Sequence, residues 1–235
     1  MKLFFDFDST FIQTETLDQL ALMQNITSVE GITHQAMEGK LSFHEALVKR
    51  LACLNVDEKF FPSLIERLPV SVSVRRHQDW FLKNSEHIYI ISGGLKEIIV
   101  PIVSPFGIKE SHVFANNFMN GKLNESNPLA HAYGKSQVIE SLVIPHERSI
   151  LIGDGYTDLQ VRKDGKVTQF YAYVENLNWK QGLSGINWFS IGSKHESIGK
   201  NIHSTSLYKS GQEFLYIAST AHFCKVMIFF SISSL

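Results

Sequence analysis

Short apolar runs alternate with helix-like stretches along residues 1–175, and this alternation is the feature that most constrains the fold. Strand candidates fall at 3–7, 88–91, 113–115, 149–152 and 168–174. Strands separated by helical stretches predict an α/β fold, a Rossmann-like parallel sheet core flanked by helices. The first, second and fourth runs end in DFDST, SGG and GDGYTD. In an open parallel sheet, ligands gather at the carboxyl ends of the strands. Three chemically loaded segments are therefore expected along one edge.

Between the first two runs lies a long segment of mainly helical character, too long for a plain crossover. THQAMEGKLSFHEALVKRLACL reads as helix, turn, helix, with Gly39 breaking the first helix and Ser42 capping the second. Apolar Phe43, Leu47, Leu51 and Leu54 keep helical spacing. This pattern predicts a small helical cap inserted after the first strand, closing over the strand ends and excluding water. The expected organisation is a core of 1–12 and 76–180, a helical cap of 13–75, and a divergent C-terminal segment of 181–235. Beyond about residue 182 serine becomes frequent, apolar periodicity weakens and no element is recognisable.

A net charge of -1 removes the electrostatic case for a nucleic-acid or anionic-membrane partner. Two cysteines, Cys53 and Cys224, define neither a disulfide framework nor a cysteine metal site, and read as small buried hydrophobes. The opening MKLFFDFDST lacks the pattern of a secretory signal. No run approaches the roughly 20 apolar residues that span a bilayer, and the apolar stretch 226–232 is short. A cytoplasmic protein without a membrane partner is expected; its oligomeric state is open.

Asp6 and Asp8 stand two apart at a strand end, so one carboxylate can attack phosphorus while the other carries the leaving group's proton. Ser92 and the glycine amides after it can donate to phosphate oxygens, and Lys135, at the start of a helix-like stretch, can neutralise a phosphoryl group. Asp154 and Asp158 follow another strand. Magnesium takes hard oxygen ligands from few protein carboxylates, and Asp154 is the natural partner of Asp6. The spacing fails for an EF-hand calcium loop, which needs more acids at alternate positions and a downstream glutamate. Taken singly, each signal is also what a solvated turn or a surface charge would give. Their order and their shared position at strand ends set them apart.

Asp6-Phe7-Asp8-Ser9-Thr10, then Ser92-Gly93, then Lys135, then Gly153-Asp154-Gly155 with Asp158, resembles the four-motif signature of haloacid dehalogenase-type phosphatases. Within that superfamily the likeness is closest to phosphoserine phosphatases, through Glu15-Thr16, AMEGKLSF and Lys49-Arg50. The resemblance implies magnesium-dependent hydrolysis of a small phosphomonoester, O-phospho-L-serine, through an aspartyl-phosphate. It implies Asp6 as nucleophile and metal ligand, and Asp8 as general acid/base with its carbonyl on magnesium. Ser92, Gly93, Thr157 and Lys135 would serve the phosphoryl group, Asp154 would complete the metal site, and Asp158 would orient Lys135 from behind. In the cap, Glu15 would meet the substrate ammonium and Arg50 its carboxylate, with Met37 and Phe43 lining the pocket. Another phosphorylated metabolite, a phosphotransfer reaction and an inactive phosphate-binding homologue are the alternatives. Two departures stand out: Thr157 replaces the asparagine of some members, and after residue 174 the expected final helix and strand are not recognisable, whether through a divergent ending or an altered reading frame.

Overall fold

The computed structural model describes residues 1–37, 40–119, 122–173, 175–176, 206–210, 213–220 and 223–229, in two compact units, Met1–Tyr171 and Ala172–Leu235. Along the chain, strand β1 (Lys2–Phe5) leads into helices α1 (Thr16–Met23), α2 (Ser28–Met37), α3 (Phe43–Cys53), α4 (Phe61–Ile65), α5 (Val72–Arg76) and α6 (Gln78–Asn84). Then come β2 (Ile88–Leu95), α7 (Lys96–Val103), β3 (Val113–Asn116) and the short pair β4 (Phe118–Met119) and β5 (Lys122–Leu123). The elements α8 (Gly134–Leu142), β6 (Ser149–Gly153), α9 (Tyr156–Lys163) and β7 (Gln169–Ala172) follow.

Five strands form one sheet in the order β3-β2-β1-β6-β7, with β1 parallel to both β2 and β6, and β2 parallel to β3. The α/β architecture expected from the sequence is the one found. Chain order reverses at β1, and such a reversal opens a crevice at the carboxyl ends of the strands. Behind that crevice Phe4, Ile91, Ile139, Leu151 and Val161 pack as one buried cluster.

β1 ends at Phe5, two residues before the predicted limit, and the chain leaves the sheet after Asp6, whose amide still donates to the Ile152 carbonyl at 2.9 Å. Asp6 Oδ1 accepts the Phe7 amide at 2.7 Å, and Phe7–Phe11 forms a wide turn with Asp8 extended and Ser9 left-handed at φ 52°. Phe7 and Phe11 are fully buried. Phe11 meets Phe81 and Phe106 edge-on, with centroids 5.6 and 5.1 Å apart, a favourable aromatic geometry. Aromatic packing thus anchors a turn whose polar side chains serve the crevice.

The chain leaves this turn and returns to the sheet side by side. Ile12 pairs antiparallel with Val70, the Gln13 amide donates to the Pro69 carbonyl at 2.8 Å, and the Ser71 amide to that of Phe11 at 2.9 Å. In the segment between them, α3 starts as predicted: Ser42 and Glu45 form a reciprocal capping box, which satisfies two otherwise orphaned amides. Gly39, the expected break, lies outside the described residues. Cys53 is a free thiol, half-buried where full burial was expected.

In the second unit, β8 (Ser206–Ser210), β9 (Glu213–Thr220) and β10 (Phe223–Phe229) form an antiparallel sheet in the order β10-β9-β8. No element was predicted there. Among the described residues no helix is long and apolar enough to cross a membrane.

Leu151, fully buried on β6 beside Phe4, tests this core. Leu151→Ala is expected to cost about 2–5 kcal/mol, read as a lower urea midpoint at an unchanged slope.

Candidate active site

Asp6 is 7% exposed at the end of β1, with one carboxylate oxygen on the Phe7 amide. The other lies 2.9 Å from Lys135 Nζ, and Lys135 in turn donates to Asp158 Oδ1 at 2.7 Å. Gly134 makes this reach possible: a Cβ there would stand 2.0 Å from the Pro128 carbonyl oxygen, so only glycine lets the start of α8 come so close. Burial works against the charge on Lys135, but the ion pairs with Asp158 and Asp6 outweigh it and push its pKa up. The lysine stays protonated at neutral pH.

Asp154, just after β6, completes the group. Carboxylate oxygens of Asp6, Asp154 and Asp158 all lie within 4.8 Å of one another. Thr10 Oγ1 donates to Asp154 at 3.2 Å, and the Gly155 amide to Asp158 Oδ2 at 3.2 Å. Burial, with the charges of Asp6, Asp158 and Glu15, raises the Asp154 pKa to about 8. Burial and Asp6 raise Asp158 to about 7, against the opposing pull of Lys135. Such crowding of anions around a single lysine fits a divalent cation, which takes oxygen ligands and would relieve the repulsion.

Asp8 Oδ1 accepts from both the amide and the hydroxyl of Thr16 at the start of α1. Burial raises its pKa to about 6, with Asp6 adding to the effect and the Thr16 bonds and Arg50 opposing it. Glu15 accepts from Ser9 Oγ at 2.8 Å, and burial with the Asp8 charge lifts it to about 7. Arg50 on α3 donates to Asp18 at 2.8 Å, while its buried Nε has no hydrogen-bond partner.

Ser92 is buried within β2, its Oγ accepting from the Gly94 amide at 2.9 Å. The strand runs on through Gly93 and Gly94 to Leu95, with a register shift against β3 after Ile91. Phe43 lies directly over Gly93, where a Cβ would meet its ring at 2.7 Å. Next to it, His44 Nδ1 is 2.8 Å from the Ala130 carbonyl and its ring stacks on His131 at 4.6 Å. These contacts seat α3 against the strand ends.

Most of the sequence-derived residues therefore share one crevice. Thr157 is exposed on the first turn of α9, with Oγ1 beside Gly155. Met37 ends α2, but its side chain lies outside the described residues. Asp18 and Thr16 escaped the sequence reading as site residues. Asp18 stands one helical turn after Glu15, a spacing that puts both on one face and was the available signal. The hydroxyl of Thr16 carried none.

A haloacid dehalogenase-like hydrolase model matches residues 3–163. The chain belongs to that family. Among haloacid dehalogenase-like hydrolases it is 32% identical to the phosphoserine phosphatase of Homo sapiens over 196 residues, 79% of this chain and 86% of the human protein. It is 30% identical to the chloroplastic phosphoserine phosphatase of Arabidopsis thaliana over 181 residues, 72% of this chain but only 61% of the plant protein. A solved structure of a phospho-aspartyl intermediate analogue of phosphoserine phosphatase shares 29% identity, with a TM-score of 0.60 over 73% of this chain and 85% of the other. Like other hydrolases of this family, the chain presents an acidic cluster suited to a metal ion.

Four carboxyl groups raised to between about 6 and about 8 fix the sign of a pH effect. A carboxyl whose pKa is higher folded than unfolded adds stability at low pH, and that stability is lost as pH rises through the folded value. The metal-free protein is therefore expected to lose thermal stability between about pH 4 and pH 8. A saturating divalent cation should raise the melting temperature more at pH 8 than at pH 5, as thermal scans with and without chelator will show.

Proposed function

We propose that this chain hydrolyses O-phospho-L-serine to L-serine and phosphate, with magnesium held by Asp6, Asp154 and the Asp8 carbonyl. The observation that carries the reading is the placement of Asp6 against Lys135 and within 4.8 Å of Asp154, with Glu15 just before α1 and Arg50 on α3. Bound there, magnesium supplies charge neutralisation and in-line orientation of the phosphoryl group.

The protein's own residues account for the rest. The Asp6 carboxylate attacks phosphorus, and the bond from phosphorus to the serine oxygen breaks. Asp8, with a pKa near 6, gives that oxygen its proton and then removes one from the water that cleaves the aspartyl-phosphate. Lys135 remains charged throughout and faces the developing negative charge, as positioning and electrostatics dominate phosphoryl transfer. The buried Ser92 hydroxyl and the Gly93 amide are the donors assigned to phosphate oxygens, and Thr157 is assigned to the substrate with them. Asp158 fixes Lys135 through their 2.7 Å bond.

The segment 13–75 acts as the cap in this reading. Glu15 takes the substrate ammonium, Arg50 the carboxylate, and Phe43 with Met37 walls the pocket. The complementarity is chemical: the amino-acid end of phosphoserine carries one cation and one anion, and Glu15 and Arg50 are an acid and an arginine to meet them. The complete acid, serine and lysine set weighs against an inactive phosphate binder. With L-serine as product, the enzyme belongs to amino-acid biosynthesis, and we place it in the cytoplasm.

Asp6→Asn is expected to lower kcat by about three orders of magnitude or more, with an unchanged circular dichroism spectrum. Retained magnesium-dependent phosphate release would remove Asp6 as nucleophile. Arg50→Ala should reduce kcat/KM for O-phosphoserine about a hundredfold, and that for p-nitrophenyl phosphate far less. Equal losses would point to a different phosphorylated metabolite.

A further inference from the structure

Asp18 lies on the first turn of α1, and its Oδ1 accepts a 2.8 Å hydrogen bond from Arg50 Nη2 on α3. The arginine side chain is 16% exposed and the aspartate 39%. A guanidinium is a rigid planar fork of five donors on a stem with many rotamers. Asp18 occupies one arm of that fork and holds the stem in one orientation. The buried Nε donor is left without a partner, a costly state that an incoming acceptor would relieve. The charge of Arg50 also reaches Asp8 and Glu15, opposing the rise that burial gives both carboxyl groups. The tethered guanidinium thus stands within electrostatic range of the reacting end of the site and of the acid assigned to the substrate ammonium.

We propose that Asp18 is a positioning residue for substrate selection: it fixes Arg50 so that the open side of the guanidinium meets the substrate carboxylate. The inference rests on the phosphoserine reading above. Its role differs from a plain tie between α1 and α3. A tie would support every substrate alike, whereas a positioning residue supports only substrates that bear a carboxylate.

Steady-state kinetics of Asp18→Asn, Arg50→Ala and the double variant, each with saturating magnesium, test it on three substrates. O-phosphoserine has both amino-acid groups, O-phosphoethanolamine keeps only the ammonium, and p-nitrophenyl phosphate has neither. Asp18→Asn is expected to lower kcat/KM for O-phosphoserine about tenfold or more, mainly through KM, and to lower that for the other two less than about threefold. The double variant should be no worse on O-phosphoserine than Arg50→Ala alone, since Asp18 acts through the arginine. Turnover of p-nitrophenyl phosphate reports that each variant is folded. If Arg50→Ala is selective for O-phosphoserine while Asp18→Asn affects all three substrates equally, or none, the positioning role is overturned and the phosphoserine reading stands. If Arg50→Ala itself shows no selectivity, the phosphoserine reading falls and the role of Asp18 falls with it.

Discussion

Lys135 Nζ stands 2.9 Å from Asp6 and 2.7 Å from Asp158, at the centre of a crevice where acids outnumber bases. Burying carboxylates is costly unless their charge is met. Asp6, Asp8, Glu15, Asp154 and Asp158 share the cation charge of Lys135 and Arg50, so the balance stays negative. Burial first raises Asp8, Glu15, Asp154 and Asp158, and the surplus of negative charge adds to the rise. A chain built only for stability would not concentrate anions here. A cation and a phosphoryl group turn the same arrangement into a working site.

The fold brings these residues together through backbone geometry. Asp6 enters the crevice because β1 stops at Phe5 and a wide turn, anchored by Phe7 and Phe11 in the core, takes over. Lys135 reaches it because Gly134 permits a close approach, and Asp154 because β6 pairs directly with β1. The α1 and α3 helices are fastened from above by the Phe43 contact on Gly93, the His44–His131 stack and the Arg50–Asp18 ion pair. In the proposed reading, one end of the crevice does the chemistry and the helices choose the substrate.

Much of this was legible in the sequence because the chemistry sits where secondary structure changes. DFDST, SGG and GDGYTD each follow an apolar run, and parallel-sheet logic alone places them on one edge. The start of α3 was visible in Ser42 as its cap, to which the structure adds the reciprocal bond from Glu45. What escaped depended on tertiary contact. Asp18 looks like an ordinary acid in a first helical turn until Arg50 arrives from another helix, and Thr16 matters only because Asp8 turns back to meet it. The strands at 206–229 lie beyond about residue 182, where frequent serine and weak apolar periodicity left no element recognisable.

In the proposed mechanism Asp6 becomes covalently phosphorylated within a metal-assisted site. Rapid acid quench of the protein turning over O-phosphoserine with magnesium, followed by peptide mass spectrometry, tests it directly. The account predicts a transient phosphoryl adduct on the peptide containing Asp6, located on that residue and lost when the metal is chelated. An adduct on a different residue, or phosphate release at full rate in the presence of chelator, would contradict it.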